Sequence, residues 1–171
     1  GEVLVDGINV KDYKFDTLYD KLGYVTQKAV LFAGSIKENV FFGESAAPET
    51  DEELKNAIEL SQAEEFVDKF PDGTEHMISQ MGRNVSGGQK QRLSIARALS
   101  RKPEILVFDD SFSALDYKTD AKLREGLNEK LKDTTKIIVA QRISTIRHAD
   151  KIIVLDRGEA VGMGTHEELM K

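Results

Sequence analysis

The sequence predicts an α/β fold in which a parallel sheet carries an inserted block of helices. Residues 105–108 (Ile-Leu-Val-Phe) form a short apolar run after Pro103, which is typical of a strand covered on both faces of a parallel sheet. A second buried strand is predicted at residues 136–140, and a further strand at residues 151–155. Residues 46–102, in contrast, carry mostly helical patterns. We therefore expect a single α/β domain over residues 1–171 that is interrupted by a helical subdomain.

The N-terminal elements are predicted from turn and helix-end residues. Residues 2–10 alternate around Asp6-Gly7, which is the strongest short-range signal for a β-hairpin. A short helix is expected at residues 17–22, with Asp16 as its N-cap and Gly23 at its end.

Three later helix starts carry the capping-box pattern, in which a Ser or Thr is followed three residues later by Glu. A predicted strand at residues 24–26 delivers Gln27 to the loop before the first of them. Leucines spaced four residues apart predict the buried stripe of another helix. The capping pairs are Ser35 with Glu38, Thr50 with Glu53 and Thr165 with Glu168, and the stripe is Leu123, Leu127 and Leu131.

A Ser-Gly-Gly turn, Ser86-Gly87-Gly88, opens a predicted helix that runs to about Arg101. Ser86 suits an N-cap, and the two glycines let a ligand reach the backbone amides at the positive end of the helix. Such a helix start is an anion site, and phosphate is the usual anion. By itself, however, the pattern also fits ordinary helix capping.

Asp109 and Asp110 stand at the carboxyl end of the predicted strand 105–108, where open α/β sheets place their ligands. A carboxylate there suits a magnesium ion that carries phosphates. By themselves, two aspartates after a strand also fit an ordinary turn. The functional interpretation therefore depends on finding both features in the right order.

The composition narrows the functional classes. The chain has a net charge of −6 and a pI near 5.2, which argues against a nucleic-acid-binding module because such a module usually has a basic face. It contains no cysteine, so disulfides and cysteine metal sites are excluded. Its 40% of hydrophobic residues suffice for one core, and no apolar stretch approaches the ~20 residues that a membrane helix needs.

Three segments together resemble the nucleotide-binding domain of ATP-binding-cassette (ABC) transporters. Residues 85–89 (Val-Ser-Gly-Gly-Gln) resemble the family signature, residues 105–109 the Walker B strand, and residues 113–116 (Ser-Ala-Leu-Asp) the D-loop. Residues 31–40 resemble the stretch that follows the Q-loop in exporter-type members. The resemblance implies a P-loop NTPase-like sheet and an ATPase that uses ATP and Mg²⁺.

The resemblance also implies roles for individual residues. Asp109 would hold magnesium, and Gln27 would be the Q-loop residue that touches the metal and the attacking water. Asp110 would be the catalytic base and Gln141 the switch residue. The residues that would contact the nucleotide of an opposite subunit or bridge the two subunits are Ser86, Gly87, Gly88, Gln89, Ser113 and Asp116.

Two positions depart from the family pattern. The family has glutamate where this chain has Asp110, and histidine where it has Gln141. Aspartate is one methylene shorter, and glutamine carries no protonic charge. Both changes fall in the site of the chain's own nucleotide, whereas the signature is intact. This pattern resembles one half of a heterodimeric exporter with a degenerate site, and a slow homodimer is the alternative.

The family's phosphate-cradling string, G-x-x-x-x-G-K-[ST], does not occur in the sequence. We expect the chain to be the later part of such a domain, without its N-terminal part, and to hold ATP only weakly by itself. Residues 74–82 resemble the X-loop, with Gln80 in place of the usual glutamate. Arg92 and Arg97 are candidates for phosphate contacts, although salt bridges within the helical subdomain are the favoured interpretation.

The expected partners are a second ABC nucleotide-binding domain, arranged head to tail as a homodimer or heterodimer, and the transmembrane domain of an exporter. The expected location is the cytoplasmic face of the cell membrane. One alternative is a soluble ABC-type ATPase head of the chromosome-maintenance kind, although the sequence has no heptad run for its coiled-coil arms. Another is a non-catalytic module that presents its signature to a partner.

Overall fold

The computed structural model describes all 171 residues, from Gly1 to Lys171. Its strands are β1 (Leu4–Val5), β2 (Ile8–Asn9), β3 (Leu22–Val25), β4 (Gly34–Ser35), β5 (Met77–Ile78), β6 (Ile105–Asp109), β7 (Thr135–Val139), β8 (Ile152–Asp156) and β9 (Glu159–Gly164). Its helices are α1 (Phe15–Lys21), α2 (Ile36–Val40), α3 (Asp51–Leu60), α4 (Glu64–Val67), α5 (Gly87–Ser100), α6 (Tyr117–Lys130), α7 (Ile143–Ile146) and α8 (His166–Leu169).

The central sheet is parallel, with the strand order β3–β6–β7. Val25 lies opposite Phe108, which in turn lies opposite Ile138. Because the three strands run in the same direction, their carboxyl ends meet at one edge of the sheet. This arrangement confirms the predicted α/β class and brings three loops together at that edge.

The hydrophobic core lies between this sheet and the helices that cover it, chiefly α2, α3, α5 and α6. Leu106 and Phe108 of β6 are fully buried, as the apolar run predicts. Leu123 and Leu127 of α6 are buried too, and Leu131 packs against the same core. The four-residue stripe is therefore confirmed.

The edge strand β7 differs from the prediction of a buried strand at residues 136–140. Ile137 and Val139 are 51% and 52% exposed, and β7 lies at the edge of the sheet, where it pairs with β6 alone. The strand β8 pairs only with β9, in a separate antiparallel sheet, and its Leu155 is 70% exposed. A run of apolar residues predicts a strand, but its burial depends on which elements cover it.

The helix α1 begins at Phe15, earlier than predicted, and Lys14 occupies the N-cap position without a side-chain bond. Asp16 lies inside the first turn, so its predicted role as the cap is wrong. Gly23 lies within β3 and does not end the helix. A Cβ atom at Gly23 would lie 2.7 Å from Leu106 Cδ2 and 2.8 Å from Pro103 Cγ, so glycine is required there for close packing.

The N-terminal hairpin and most capping boxes form as predicted. Asp6 and Gly7 have φ values of 50° and 77°, the left-handed conformation that a tight two-residue turn requires. Reciprocal capping boxes join Ser35 to Glu38 and Thr165 to Glu168. Thr50 caps α3 from one side only, because the Glu53 carboxylate pairs with Lys102 instead.

The helices α3, α4 and α5 lie between β3 and β6 in the chain, within the block predicted to be helical. Whether residues 46–102 form a separate subdomain stays a prediction. None of the helices has the length and apolar character that crossing a lipid bilayer demands.

Candidate functional site

Three polar side chains meet at the carboxyl edge of the central sheet. Gln27, just after β3, donates from Nε2 to Asp110 Oδ2 at 3.2 Å. Gln141, just after β7, donates from Nε2 to the same oxygen at 3.3 Å. The parallel sheet thus brings together residues from the ends of all three strands. We call Gln27, Asp110 and Gln141 the edge cluster.

The backbone of Asp110 fixes the shape of this cluster. Its φ of 45° lies in the left-handed region, which aspartate tolerates better than most residues. The Asp110 amide donates to the carbonyl oxygen of Val139 at 2.9 Å, and Ser113 Oγ donates to the Asp110 carbonyl oxygen at 2.7 Å. A strained backbone position of this kind persists only where the surrounding structure holds it in place. Such positions cluster at functional sites.

Asp109 is the last residue of β6 and presents a carboxylate beside the edge cluster. The Tyr24 hydroxyl donates to Asp109 Oδ2 at 2.9 Å, and this hydrogen bond raises the pKa of Tyr24. No group of the chain donates to the other carboxylate oxygen of Asp109, and the amide oxygen of Gln27 is likewise free. These are hard oxygen donors of the type that Mg²⁺ prefers, although the chain has no group of three or more His, Cys, Asp or Glu side chains that could hold a metal ion.

The signature turn, Ser86-Gly87-Gly88, lies at the start of α5. Ser86 and Gln89 form a reciprocal capping box: Ser86 N donates to Gln89 Oε1 at 2.8 Å, and Gln89 N donates to Ser86 Oγ at 3.2 Å. Ser86 and Gly87 are exposed. The predicted helix start and cap are confirmed.

The two glycines of the signature turn are not required by the packing of the chain itself. A Cβ atom at Gly87 would meet nothing within 4 Å, and one at Gly88 would lie 3.6 Å from the Ala114 carbonyl oxygen, an ordinary contact. Glycine near a helix start lowers helix stability by up to about 1 kcal/mol relative to alanine, so the two glycines do not stabilise the helix either. Because the two positions are not crowded, the turn leaves open space in front of the positive end of a long helix, where an anion can approach.

The D-loop residues Ser113 and Asp116 are held by local bonds. Asp116 is the N-cap of α6 and accepts hydrogen bonds from the amides of Lys118 and Thr119 and from the Thr119 hydroxyl. The hydroxyl bond is the main reason that the pKa of Asp116 is lowered. Arg142 Nη2 donates to the carbonyl oxygen of Ser113 at 3.2 Å, which links this loop to the segment after Gln141.

Arg97 is a residue whose role the sequence does not predict. Its guanidinium donates to the carbonyl oxygens of Val30 and Asn39 and to Asn39 Oδ1, and it lies beside the rings of Phe32 and Phe42. It has no carboxylate partner, so the favoured salt bridge is wrong, and burial lowers its pKa. Arg97 instead fastens the loop after Gln27 to α5.

Arg92 follows the prediction more closely. Its Nη1 atom lies 3.7 Å from Glu65 Oε2 and donates to the carbonyl oxygen of Gln62 at 2.9 Å.

Gln80 lies in an exposed turn, followed by Met81 with a left-handed φ of 60°. Neither Arg92 nor Gln80 touches the edge cluster.

Comparisons with known proteins agree with this geometry. The family model described as "ABC transporter" matches residues 1–113. The chain is 44% identical to an ABC transporter ATP-binding protein of Mycoplasma genitalium, over 100% of the chain and 29% of the relative. It is 43% identical to ABC transporter B family member 21 of Arabidopsis thaliana, over 100% of the chain and 13% of the relative.

Two further matches point to exporters. A protein of Staphylococcus aureus whose name describes a multidrug export ATP-binding/permease protein is 43% identical over 99% of the chain and 29% of its own length. The structure of a bacterial Atm1-family ABC exporter with ATP bound matches with a TM-score of 0.92 and 34% identity, over 99% of the chain and 30% of that structure. The chain thus spans less than a third of these relatives, and the P-loop NTPase-like fold is confirmed.

Proposed function

We propose, from the premise that this chain belongs to the ABC transporter family, that it serves in the ATP-binding domain of an exporter that couples ATP binding and hydrolysis to transmembrane transport. The observation that carries this proposal is the exposed signature turn. It leaves amides at the start of α5 open to an anion, although nothing in the chain requires glycine there. The export-related names of relatives support the same direction.

In this proposal, Asp109 and Gln27 hold Mg²⁺ at the carboxyl edge of the sheet, through the oxygens that the chain leaves free. When bound, Mg²⁺ neutralises charge on phosphate oxygens and orients them. Gln27 also keeps its amide nitrogen on Asp110, so it joins the metal position to the catalytic-base position. ATP itself is held jointly by two chains.

The chain's own site turns over slowly in this proposal. Asp110 stands at the position of the general base, but one of its two carboxylate oxygens, Oδ2, already accepts two amide hydrogen bonds. Its side chain is also shorter than the glutamate usual in the family. The loss of a well-placed general base lowers rates by about 10²–10⁴-fold. Gln141 adds no positive charge to offset that loss.

The chain's active contribution is to the site of its partner. Two such domains pair head to tail, and the signature turn meets the terminal phosphate of the nucleotide held by the partner. Ser86, Gly87, Gly88 and Gln89 supply a hydroxyl, backbone amides and the cap that shapes them. Ser113 and Asp116 lie at the junction of the two chains. A heterodimer explains why the own site is altered while the signature is intact.

The remaining partner is the exporter's transmembrane domain, with the ATP-binding domain on the cytoplasmic face of the membrane. The X-loop around Gln80 contacts that domain, and its usual glutamate is absent here. The chromosome-maintenance alternative is less well supported, because the matched relatives carry exporter names.

The test compares two variants in the full heterodimeric transporter. Gly87→Asp places a charged side chain where the fold leaves open space, so it keeps the fold and repels phosphate. We expect it to lower the ATPase rate by about 10²–10³-fold, as loss of an anion-stabilising site does. Asp110→Asn should change the rate less than about twofold, because the working site lies on the partner. A larger loss of ATPase rate in Asp110→Asn than in Gly87→Asp would contradict the proposal and favour a slow homodimer.

A further inference from the structure

Gln91 is a buried polar residue on α5 whose role the proposed function does not use. Its side chain is 1% exposed, and its Nε2 atom donates to the backbone carbonyl oxygen of Thr26 at 3.2 Å. The two residues are 65 positions apart in the chain. The bond therefore joins the signature helix directly to the loop after β3.

The position of this bond matters because of what lies on either side. Thr26 immediately precedes Gln27, whose side chain binds Asp110 in the edge cluster. Gln91 lies about one helical turn after the signature turn, and the helix between them is closed by the capping box of Ser86. A continuous path of hydrogen bonds and rigid helix thus runs from the signature turn to the edge cluster.

The loop after β3 has only two such hydrogen bonds from side chains of α5. Arg97 holds it further along, at Val30, while Gln91 holds it next to Gln27. Burying an amide side chain is unfavourable unless it is hydrogen-bonded, and an apolar residue of similar size would serve packing equally well. Packing alone does not explain a glutamine here, whereas a fixed distance between α5 and Gln27 does.

We infer that Gln91 is a positioning residue that couples Gln27, in the chain's own nucleotide site, to the signature turn that the chain presents to its partner. A change at Gln27 then moves the signature turn, so the state of one site alters turnover at the other. This inference rests on the proposed function, since it assumes that the signature acts across the dimer. It assigns the coupling to one hydrogen bond.

A double-mutant cycle in the full heterodimeric transporter tests the coupling, with kcat and KM measured for hydrolysis at the partner site. The variants are Gln27→Ala, Gln91→Met and the double variant. We expect each single change to lower kcat by about 5–150-fold, the usual range of coupling between sites. The double variant should be no slower than the slower single variant. If the kcat of the double variant falls by the product of the two single losses, the two residues act independently and the inference is overturned.

The matched control is Ser100→Ala at the far end of α5. Ser100 Oγ also makes a buried hydrogen bond, to the carbonyl oxygen of Val40, but it does not touch the loop after β3. In the Ser100→Ala background the effect of Gln27→Ala should be unchanged. If Ser100→Ala suppresses that effect as Gln91→Met does, the coupling belongs to general helix stability and the inference fails.

A second variant separates positioning from packing. Gln91→Glu keeps the size and shape of the side chain. An ionised carboxylate has no hydrogen to donate to the Thr26 carbonyl oxygen, whereas a protonated carboxyl group has one. We expect its kcat, relative to the unmodified transporter, to recover as the pH falls from about 8.5 to about 6, because burial raises the pKa of a carboxyl group. A kcat ratio between the variant and the unmodified transporter that does not change with pH would overturn the inference. If Gly87→Asp leaves turnover intact in the same series, the proposed function fails instead.

Discussion

At the residue scale, Asp110 combines an unusual backbone with an unusual set of bonds. Its left-handed φ of 45° and its two amide donors place the carboxylate between the ends of β3 and β7. This arrangement engages one of the two carboxylate oxygens, Oδ2, within the chain. That oxygen of the proposed general base is therefore already occupied, which fits the slow turnover that we propose for this site.

Restoring the usual residues should restore turnover at this site. We predict that Asp110→Glu combined with Gln141→His raises hydrolysis at the chain's own site by about 10²–10⁴-fold, the usual contribution of a positioned general base. Single-turnover ATP hydrolysis, in a dimer whose partner site is disabled, measures the change. The control, Asp110→Asn with Gln141→His, should stay slow. Equal rates in the two double variants would contradict the role given to residue 110.

Asp116 gives a pH dependence whose sign is defined. Its hydrogen bond from Thr119 lowers its pKa in the folded chain, so folding favours the ionised form. This contribution to stability is complete above the ordinary aspartate pKa of about 3.9, and it is lost as the pH falls through the lower folded value.

We therefore predict that the melting temperature of the Asp116→Asn variant falls less steeply than that of the unmodified chain as the pH is lowered below about 4. Thermal unfolding over that acid range measures the two slopes. Identical slopes would show that Asp116 is not held as an ionised cap.

At the element scale, the packing of β3 against its neighbours depends on one glycine. A Cβ atom at Gly23 would lie 2.7 Å from Leu106 Cδ2, 2.8 Å from Pro103 Cγ and 3.0 Å from the Ala98 carbonyl oxygen. Gly87, in contrast, has open space around it. The same substitution should thus have opposite effects at the two positions.

We predict that Gly23→Ala lowers the free energy of unfolding by about 1–3 kcal/mol, the usual cost of overpacking. Gly87→Ala should leave it unchanged or raise it by up to about 1 kcal/mol, because alanine favours the helix. Urea unfolding of the purified variants gives both values. A loss at Gly87 as large as that at Gly23 would mean that the signature turn is packed against something in the chain.

Elements governed by local chemistry could be predicted from the sequence. The Asp6-Gly7 hairpin, the Ser86 cap and the apolar strand β6 each depend on a few neighbouring residues, and each is present in the structure. The exposure of β7 could not be predicted, because it depends on which elements lie over the strand. The bond from Gln91 to Thr26 is likewise invisible in the sequence, since the two positions are brought together only by the fold.

The candidate site divides in the same way. The parallel strands predict that residues after β3, β6 and β7 share an edge, and the resemblance names Gln27, Asp110 and Gln141. Only the structure gives their shared bonds to one carboxylate oxygen. Arg97 carries no local signal, because its acceptors, two backbone carbonyls and Asn39 Oδ1, lie far from it in the chain.

At the scale of the whole molecule, the chain presents two separate sets of residues. The edge cluster lies at the carboxyl edge of the central sheet, whereas the signature turn opens to solvent at the start of α5. In the proposed function, two chains arranged head to tail use both sets at once. The function that we propose at this scale is therefore that of a pair of chains.

The chain alone should hold nucleotide only weakly. Its sequence contains no G-x-x-x-x-G-K-[ST] string to cradle phosphates, and in the proposed function its signature turn acts on a nucleotide held by another chain. We predict that isothermal titration of the isolated chain with Mg-ATP shows no saturation in the micromolar range. Micromolar binding that persists in the Gly87→Asp variant would show a complete site within one chain.

The most direct test is the structure of the full transporter dimer trapped with a non-hydrolysable ATP analogue. We predict that the amides of Gly87 and Gly88 lie within about 3 Å of a terminal phosphate oxygen of the nucleotide held by the partner. A structure in which this turn faces solvent, or meets only the nucleotide of its own chain, would contradict the central claim.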